Sequence, residues 1–463
     1  MKMLQRLASW LVLGLIATGL QTSLGAAAAT DASLEVGLAV RDITPQFPVW
    51  LAGYAARKKP ADKVDLPLVA QALALKNPSG ERFVFVSLDN CEVSREFNEP
   101  VIKQLEEQHQ LARGAVMIVS SHTHSAPVLE GNLLPMYQMP DADREQVQKY
   151  GRWLQEKLVE VVGAALADFK PALLEHGMGR ATFAMNRRVY KGDAVAFGEN
   201  PEAPVDWDVP VLRINGTNGA VRAIVFGYAC HPTSIAGDDF YIVTGDYPAY
   251  ARQHLEAVYP GTMALFLQGM GADSNPAPRG SLLDSKRHGL ELAGAVAGVL
   301  KRPMRPVRGT FKLAYAEVEL PFTNAPTRER LETDAQNKDI YVQNRARTFL
   351  KLLDDGKPLP QSVKLPVSMV QIGSDLTFLA MGGEVVVDYA RQFKRMFAAS
   401  HPWPIGYAYE VPCYIPTARI IKEGGYEPDS SLIYYGFYGP FRTQVEEMLL
   451  NRMTQLAGSL RNP

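Results

Sequence analysis

Phe83-Val84-Phe85-Val86-Ser87-Leu88-Asp89 is an almost unbroken apolar run that ends in an acid, and Val116 to Ser120 is a second such run. A helical stretch from about Glu92 to Gln110 separates them. Strand-length runs that are apolar on both faces must be covered on both faces, and an intervening helix is the crossover that parallel pairing needs. This spacing predicts a parallel β-α-β unit and narrows the chain to an α/β architecture. The alternation continues downstream. Leu154, Leu158, Val161 and Ala165 recur at helical spacing before Pro171, and VPVLRING and AVRAIVFGYACHP read as strands joined by an Asn-Gly turn. A helix over Tyr247–Val258, the strand TMALFLQG and a helix over Asp284–Leu300 follow. GTFKLAYAEVELPF and VSMVQIGSDLTFLAM read as strands that flank a charged excursion, expected to be a helical insertion at 323–360. The last helix is expected from about Phe441 to Leu460. The fold class is therefore α/β, a mixed β-sheet core with flanking helices.

At 463 residues the chain exceeds one average domain. Residues 1–29 read as a signal peptide: Lys2 and Arg6 precede the apolar Trp10–Leu20, and small residues near Ala28 offer cleavage points. That run is short for a membrane span, and an uncleaved anchor is the alternative. Residues 30–463 are then expected to form one exported domain, periplasmic or extracellular. With 48 basic and 49 acidic residues there is no basic field for nucleic acid. No protein partner is signalled. Cys91, Cys230 and Cys413 are too few for a disulfide framework; at most one bridge can form, and buried thiols are the simpler reading.

Chemistry in such folds gathers where strands run into loops. VMIVSSHTHSAPV ends a buried strand in His122 and His124. Residues two apart on a strand share a face, so both imidazoles are expected to enter one pocket, and imidazole is the commonest zinc ligand. His231 ends the apolar run IVFGYACHPTS in the same manner, and Glu384 follows a Gly-Gly turn after TFLAM. FLQGMGADSNPAP makes a polar turn through Asp273, Ser274 and Asn275. It is readable as an oxyanion site built from backbone N–H groups, or as a plain turn. Asp246, in TGDYPAY, reads as a helix cap. EVPCYIPTARIIKEGGYEPDSS lacks periodicity and reads as a long functional loop.

Taken in chain order, VGLAVRDITP, LAGYA, SSHTHSAP, MNRR, CHPTS, TGD, the glycine turn, GGE and the YIPT…GGYE loop resemble the catalytic domain of the neutral, non-lysosomal ceramidases. The resemblance implies one zinc ion held by His122, His231, Glu384 and Tyr414. It places His124 beside the metal, in reach of substrate or water. It assigns the family's arginine to Arg187, with Arg188 as the register alternative, and its second tyrosine to Tyr426, twelve residues after Tyr414. The implied activity is zinc-dependent hydrolysis of an amide in an N-acylated, ceramide-like substrate. Water activated by zinc would attack, Arg187, Tyr426 and the Asp273–Asn275 turn would stabilise the oxyanion, and His124 would protonate the leaving amine. The partner is then a small-molecule or lipid substrate, and peripheral contact with membrane lipid is compatible with it. Two departures stand out. The family's Gly-Asp-x-Ser-Pro-Asn turn is Gly-Ala-Asp-Ser-Asn-Pro here, which puts Asn275 in the serine's place and Ser274 one residue early. The chain also ends soon after the loop and one helix, so the family's immunoglobulin-like C-terminal domain is expected to be missing. Three other readings stay open. One is a zinc hydrolase of another ester or amide, such as a cell-wall or sugar-derived compound. The second is a serine hydrolase with Ser274 as nucleophile. The third is an exported binding protein that has lost catalysis.

Overall fold

The apolar runs Arg82–Leu88 and Val116–Ser120 are parallel neighbours, in register from Val84↔Val116 to Leu88↔Ser120. The helix Arg95–His109 is their crossover. It starts where the Ser94 hydroxyl accepts the Phe97 N–H at 3.0 Å, a side-chain cap for an otherwise unpaired donor. It stops at Gln110, which adopts a left-handed φ of 52°. This is a computed structural model, and it describes residues 34–461 apart from 132 and 324. The expected signal peptide lies outside the described residues.

Among the described residues, nine strands form the larger sheet, which is mixed. Its order is Met263–Gln268, Val221–Tyr228, Asp208–Gly216, Lys170–Arg180, Glu35–Asp42, Val69–Lys76, Arg82–Leu88 and Val116–Ser120, with Arg305–Val307 also paired to Lys170–Arg180. The expected hairpin is present: Asp208–Gly216 and Val221–Tyr228 pair antiparallel across a turn at Gly219. The strands Glu35–Asp42, Val69–Lys76 and Lys170–Arg180 were not assigned from the sequence. VSMVQIGSDLTFLAM is two strands rather than one. Ser362–Ile372 and Leu376–Met381 fold back on each other and, with Phe311–Pro321 and Pro402–Ile405, make a second sheet.

The two sheets stack because their strands alternate. Leu73, Leu75, Phe83, Phe85, Met117 and Val119 pack against Val370, Ile372, Phe378 and Trp403 of the second sheet. The intervening residues Ala72, Ala74, Val84, Val86, Val116 and Ile118 face Phe97, Val101, Leu105, Leu154 and Leu158 on the helices. The far side of the second sheet is covered by Leu449, Met453 and Leu456 of the helix Val445–Arg461. The layers therefore run helix, sheet, sheet, helix. Within 323–360, the helices Arg328–Asp334 and Ile340–Asp354 share a small core of Leu331, Ala346 and Phe349. All three cysteines are free and buried. Among the described residues no helix is long and apolar enough to cross a membrane.

The sheets are joined where their parallel strands end. Ser120 donates to the Tyr407 carbonyl at 3.2 Å, and Tyr409 donates to that of Ile118 at 2.6 Å. The loops leaving both sheets converge beside this seam.

Candidate metal centre

His122 lies two residues past its strand with φ at 65°, so a left-handed turn, and not strand pleating, aims its ring. The chain is pinned there by Ser121 and His122 N–H groups donating to Leu88 and Asn90 carbonyls at 2.8 and 2.9 Å. His231 follows its strand by three residues and donates its N–H to the Ser274 carbonyl at 2.9 Å. Glu384 opens a two-residue strand paired with Tyr414–Ile415, just after Gly383 at φ 79°. These three segments bring His122 Nε2 and His231 Nε2 each to 3.1 Å from Glu384 Oε2. All three side chains are buried.

The donor set fits a metal ion. Tetrahedral zinc with bonds of about 2.0–2.1 Å places its ligand atoms roughly 3.3 Å apart, close to the spacing seen. Each histidine uses its other ring nitrogen on a backbone carbonyl: His122 Nδ1 lies 2.8 Å from the Cys91 oxygen and His231 Nδ1 lies 3.3 Å from that of Gly271. Donation there fixes the tautomer and leaves the Nε2 lone pairs facing inward. Burial, aided by the Arg187 charge, pulls the His231 pKa down to about 3. Burial opposes ionisation of Glu384, yet the two imidazoles outweigh it and hold its carboxyl well below the usual range. Metal binding requires the imidazoles neutral and the carboxylate ionised, so it would displace any proton shared among the three groups. Cys91, His122 and His124 also have ligand atoms close together. There His122 Nδ1, 3.8 Å from the Cys91 sulfur, is already engaged by the Cys91 carbonyl, and burial has pushed the thiol's pKa well up.

The residues expected around the ligands converge as well. His124 is half-buried, its Nε2 is 3.2 Å from His122 Nε2, and burial followed by the neighbouring imidazoles holds its pKa well below the ordinary value. Gly53 (φ 89°) lets its ring sit close, since a Cβ there would lie 2.2 Å from His124 Nδ1. The Tyr414 hydroxyl is 3.4 Å from His231 Nε2 and accepts from Arg187 Nη2 at 3.0 Å. Arg187 also donates to Glu427 at 2.9 Å and to Asn275 Oδ1 at 3.3 Å, with its guanidinium over the Tyr426 ring at 5.4 Å. Arg188 points away, onto Glu427, Glu423 and the Gly424 carbonyl.

Residues 34–273 match the family described as neutral/alkaline non-lysosomal ceramidase, N-terminal. The chain belongs to that family. Neutral ceramidases A and B of Dictyostelium discoideum are 26% identical to it over 277 and 270 residues, in each case 54% of this chain. The matches span only 37% and 36% of those relatives' own lengths. Among solved structures, "Ceramidase complexed with C2" superposes with a TM-score of 0.70 at 18% identity, over 93% of this chain and 76% of that one. The neutral ceramidase from Pseudomonas aeruginosa gives 0.71 at 19%, over 93% and 75%. These two likenesses establish a shared fold.

The family match ends at Asp273, so Glu384, Tyr414 and Tyr426 are tied to the histidines by geometry. The polar turn uses several of its N–H groups inside the fold. The N–H groups of Gly269, Ala272 and Ser274 are spent on the carbonyls of Tyr228, Val385 and Gly271. Asp273 accepts from the Val387 N–H at 2.8 Å and from Asn186 Nδ2 at 3.2 Å, which tethers the helix Val387–Met396. Burial pushes its pKa up to about 6. Ser274 Oγ is buried and has no hydrogen-bond partner among the described residues. Asp246 is not the expected helix cap: it is the first residue of the helix Asp246–Val258, whose cap is Gly245 without a side-chain bond, and its carboxylate accepts from the Ser234 and Tyr247 N–H groups and from the Ser285 hydroxyl.

Sequence reasoning missed the groups that hold Glu384. The Tyr435 hydroxyl bonds Glu384 Oε1 and lies 3.1 Å from Glu92 Oε2, while Tyr407 reaches Glu384 Oε2 at 3.3 Å. It also missed Glu427, although that residue directly follows Tyr426.

Proposed function

We propose that the protein is a zinc-dependent amidase that cleaves an N-acylated, lipid-like substrate, with His122, His231, Glu384 and Tyr414 holding the metal. The observation that carries this reading is the meeting of two imidazole nitrogens on one carboxylate oxygen, each at 3.1 Å. Zinc bound there would polarise the scissile carbonyl and acidify water. Arg187 supplies a fixed positive charge beside the cluster, and Glu427 and Asn275 hold it in place. Tyr426, packed at 5.5 Å from Tyr414, offers a phenolic donor to the developing oxyanion. His124, uncharged at neutral pH, takes a proton from water at Nε2 and returns it to the amide nitrogen. The C–N bond breaks; the acyl carbon keeps the water oxygen, and the products are a carboxylate and an amine. Localisation outside the cytoplasm, from the leader-like residues 1–29, belongs to the same proposal.

The test is metal content and turnover of N-acyl amides by wild type and His231→Ala. About one zinc per chain with chelator-sensitive hydrolysis, both lost in the variant, is the expected result. Hydrolysis that persists in the metal-free variant would overturn it.

A further inference from the structure

We infer that Tyr54, Arg57 and Arg279 form an anion-binding subsite, and that the preferred substrate is an N-acyl amine whose amine half carries an oxyacid group. This rests on the amidase reading above. His124 is the half-buried member of the histidine group, so the accessible approach runs along its side. The Tyr54 ring packs edge-on against His124 at 4.8 Å between centroids. Arg279 Nη2 donates to the Tyr54 hydroxyl at 3.1 Å. The Tyr54 O–H itself has no acceptor among the described residues, so a phenolic donor and the remaining guanidinium donors lie side by side. No carboxylate among the described residues forms an ion pair with Arg279. The acid on the neighbouring turn, Asp239, accepts the Leu282 N–H at 2.8 Å instead.

Arg57 adds a second uncompensated charge behind this wall. It is 1% exposed and stacks under Tyr54 and Phe240 at 5.0 and 4.6 Å. Its donors go to the Ala52 and Phe240 carbonyls, and no acid among the described residues pairs with it. Carbonyl dipoles solvate a cation without cancelling its charge. Arg57 is buried and Arg279 part-buried, neither has an ion-pair partner among the described residues, and the Asp246 carboxylate that acts on Tyr54 from within the fold is bound to Ser234, Tyr247 and Ser285; guanidinium and phenol donors match a carboxylate, sulfonate or phosphate. A neutral amine half would leave those donors unanswered.

The test uses three amides with the same dodecanoyl chain: N-dodecanoylglycine, N-dodecanoyltaurine and the neutral N-dodecanoylethanolamine. The zinc-loaded enzyme should show kcat/KM at least ten-fold higher for the two anions. Arg279→Gln should collapse that ratio toward one at unchanged zinc content, and Arg279→Lys should retain part of it. Equal kcat/KM for all three in the wild type, or a ratio untouched by Arg279→Gln, overturns the inference while the amidase reading stands. If no amide is cleaved, the amidase reading fails and calorimetry decides the subsite alone. N-dodecanoylglycine should bind Arg279→Gln at least ten-fold more weakly than wild type, and equal affinity overturns it.

Discussion

Two arginine-bearing walls flank the histidines, and they are neutralised in opposite ways. On one side Arg187 and Arg188 share Glu427, with bonds of 2.9 and 2.6 Å, and all three side chains are buried. On the other side the partners of Arg57 and Arg279 among the described residues are carbonyl and phenol oxygens. The first wall is closed electrostatically. Its charge is fixed in place and supports the cluster's geometry. The second is open and can be completed by a ligand. Burial explains why the difference is costly to maintain: an unpaired buried charge loses hydration that nothing returns.

The sharpest way to break this contrast is to remove the shared counterion. Glu427→Gln leaves two buried guanidinium groups short of an anion. It should cost about 3–5 kcal/mol, the range for breaking a buried pair from one side. Arg57→Met removes a cation that had no acid to strand, and should cost less, about 1–3 kcal/mol from lost hydrogen bonds. Urea unfolding of both variants measures the difference. Equal losses would mean that the walls are not distinct.

Asp273 is the anionic counterpart of the open wall, a buried carboxyl held by an N–H and an amide with no cation paired to it among the described residues. Its folded pKa is pushed up to about 6 by burial, above an unfolded value of about 3.9. Between these values the native state binds more protons than the unfolded state. Its contribution is therefore fully present below about pH 4 and is lost as pH rises through about 6. A shift of this size corresponds to roughly 2–3 kcal/mol. Unfolding of wild type and Asp273→Asn in chelator, at pH 4 to 7, should show a stability difference that shrinks by that amount as pH rises. A difference that does not vary with pH would remove Asp273 as a buried titrating group.

What could be read from sequence follows the same division between local and distant causes. The runs at 83–88, 116–120 and 263–268 are contiguous and apolar, and they are strands. Lys170–Arg180 was illegible because Leu173 is 58% exposed and sits between the inward Ala172 and Leu174, which spoils the alternation. Val69–Lys76 is alanine-rich, and alanine carries no strand signal. The histidines were found for a reason the structure replaces. Their convergence comes from the turn at His122, not from neighbouring places on one strand face. Tyr407 reaches Glu384 from a loop 23 residues away and Tyr435 from the end of the short helix Leu432–Tyr435, 51 residues away, and no local pattern marks either.

Those two tyrosines carry a smaller prediction. Tyr435→Phe removes a donor to Glu384 and should weaken zinc binding about 10–100-fold, the usual effect of losing a group that orients a ligand. Tyr407→Phe, whose contact is the longer one, should do less. A competition titration with a chelator ranks them. Unchanged affinity in both would place the support of Glu384 in the backbone strand it shares with Tyr414.

The smallest expected effect is also the one that separates metal from serine chemistry. Ser274 Oγ is buried and bonds nothing among the described residues. A serine nucleophile needs a base within hydrogen-bond reach, and among the described residues no histidine nitrogen makes that contact with Ser274. Its backbone carbonyl, which accepts the His231 N–H, is what ties this residue to the site, and alanine keeps that carbonyl. Ser274→Ala should therefore retain zinc and turnover within about two-fold. It should also leave stability unchanged or raised by up to about 1 kcal/mol, since an unsatisfied buried hydroxyl is removed. Abolished turnover at full zinc occupancy would reverse the assignment of the nucleophile: the Ser274 hydroxyl would then attack, with the histidines still holding the metal.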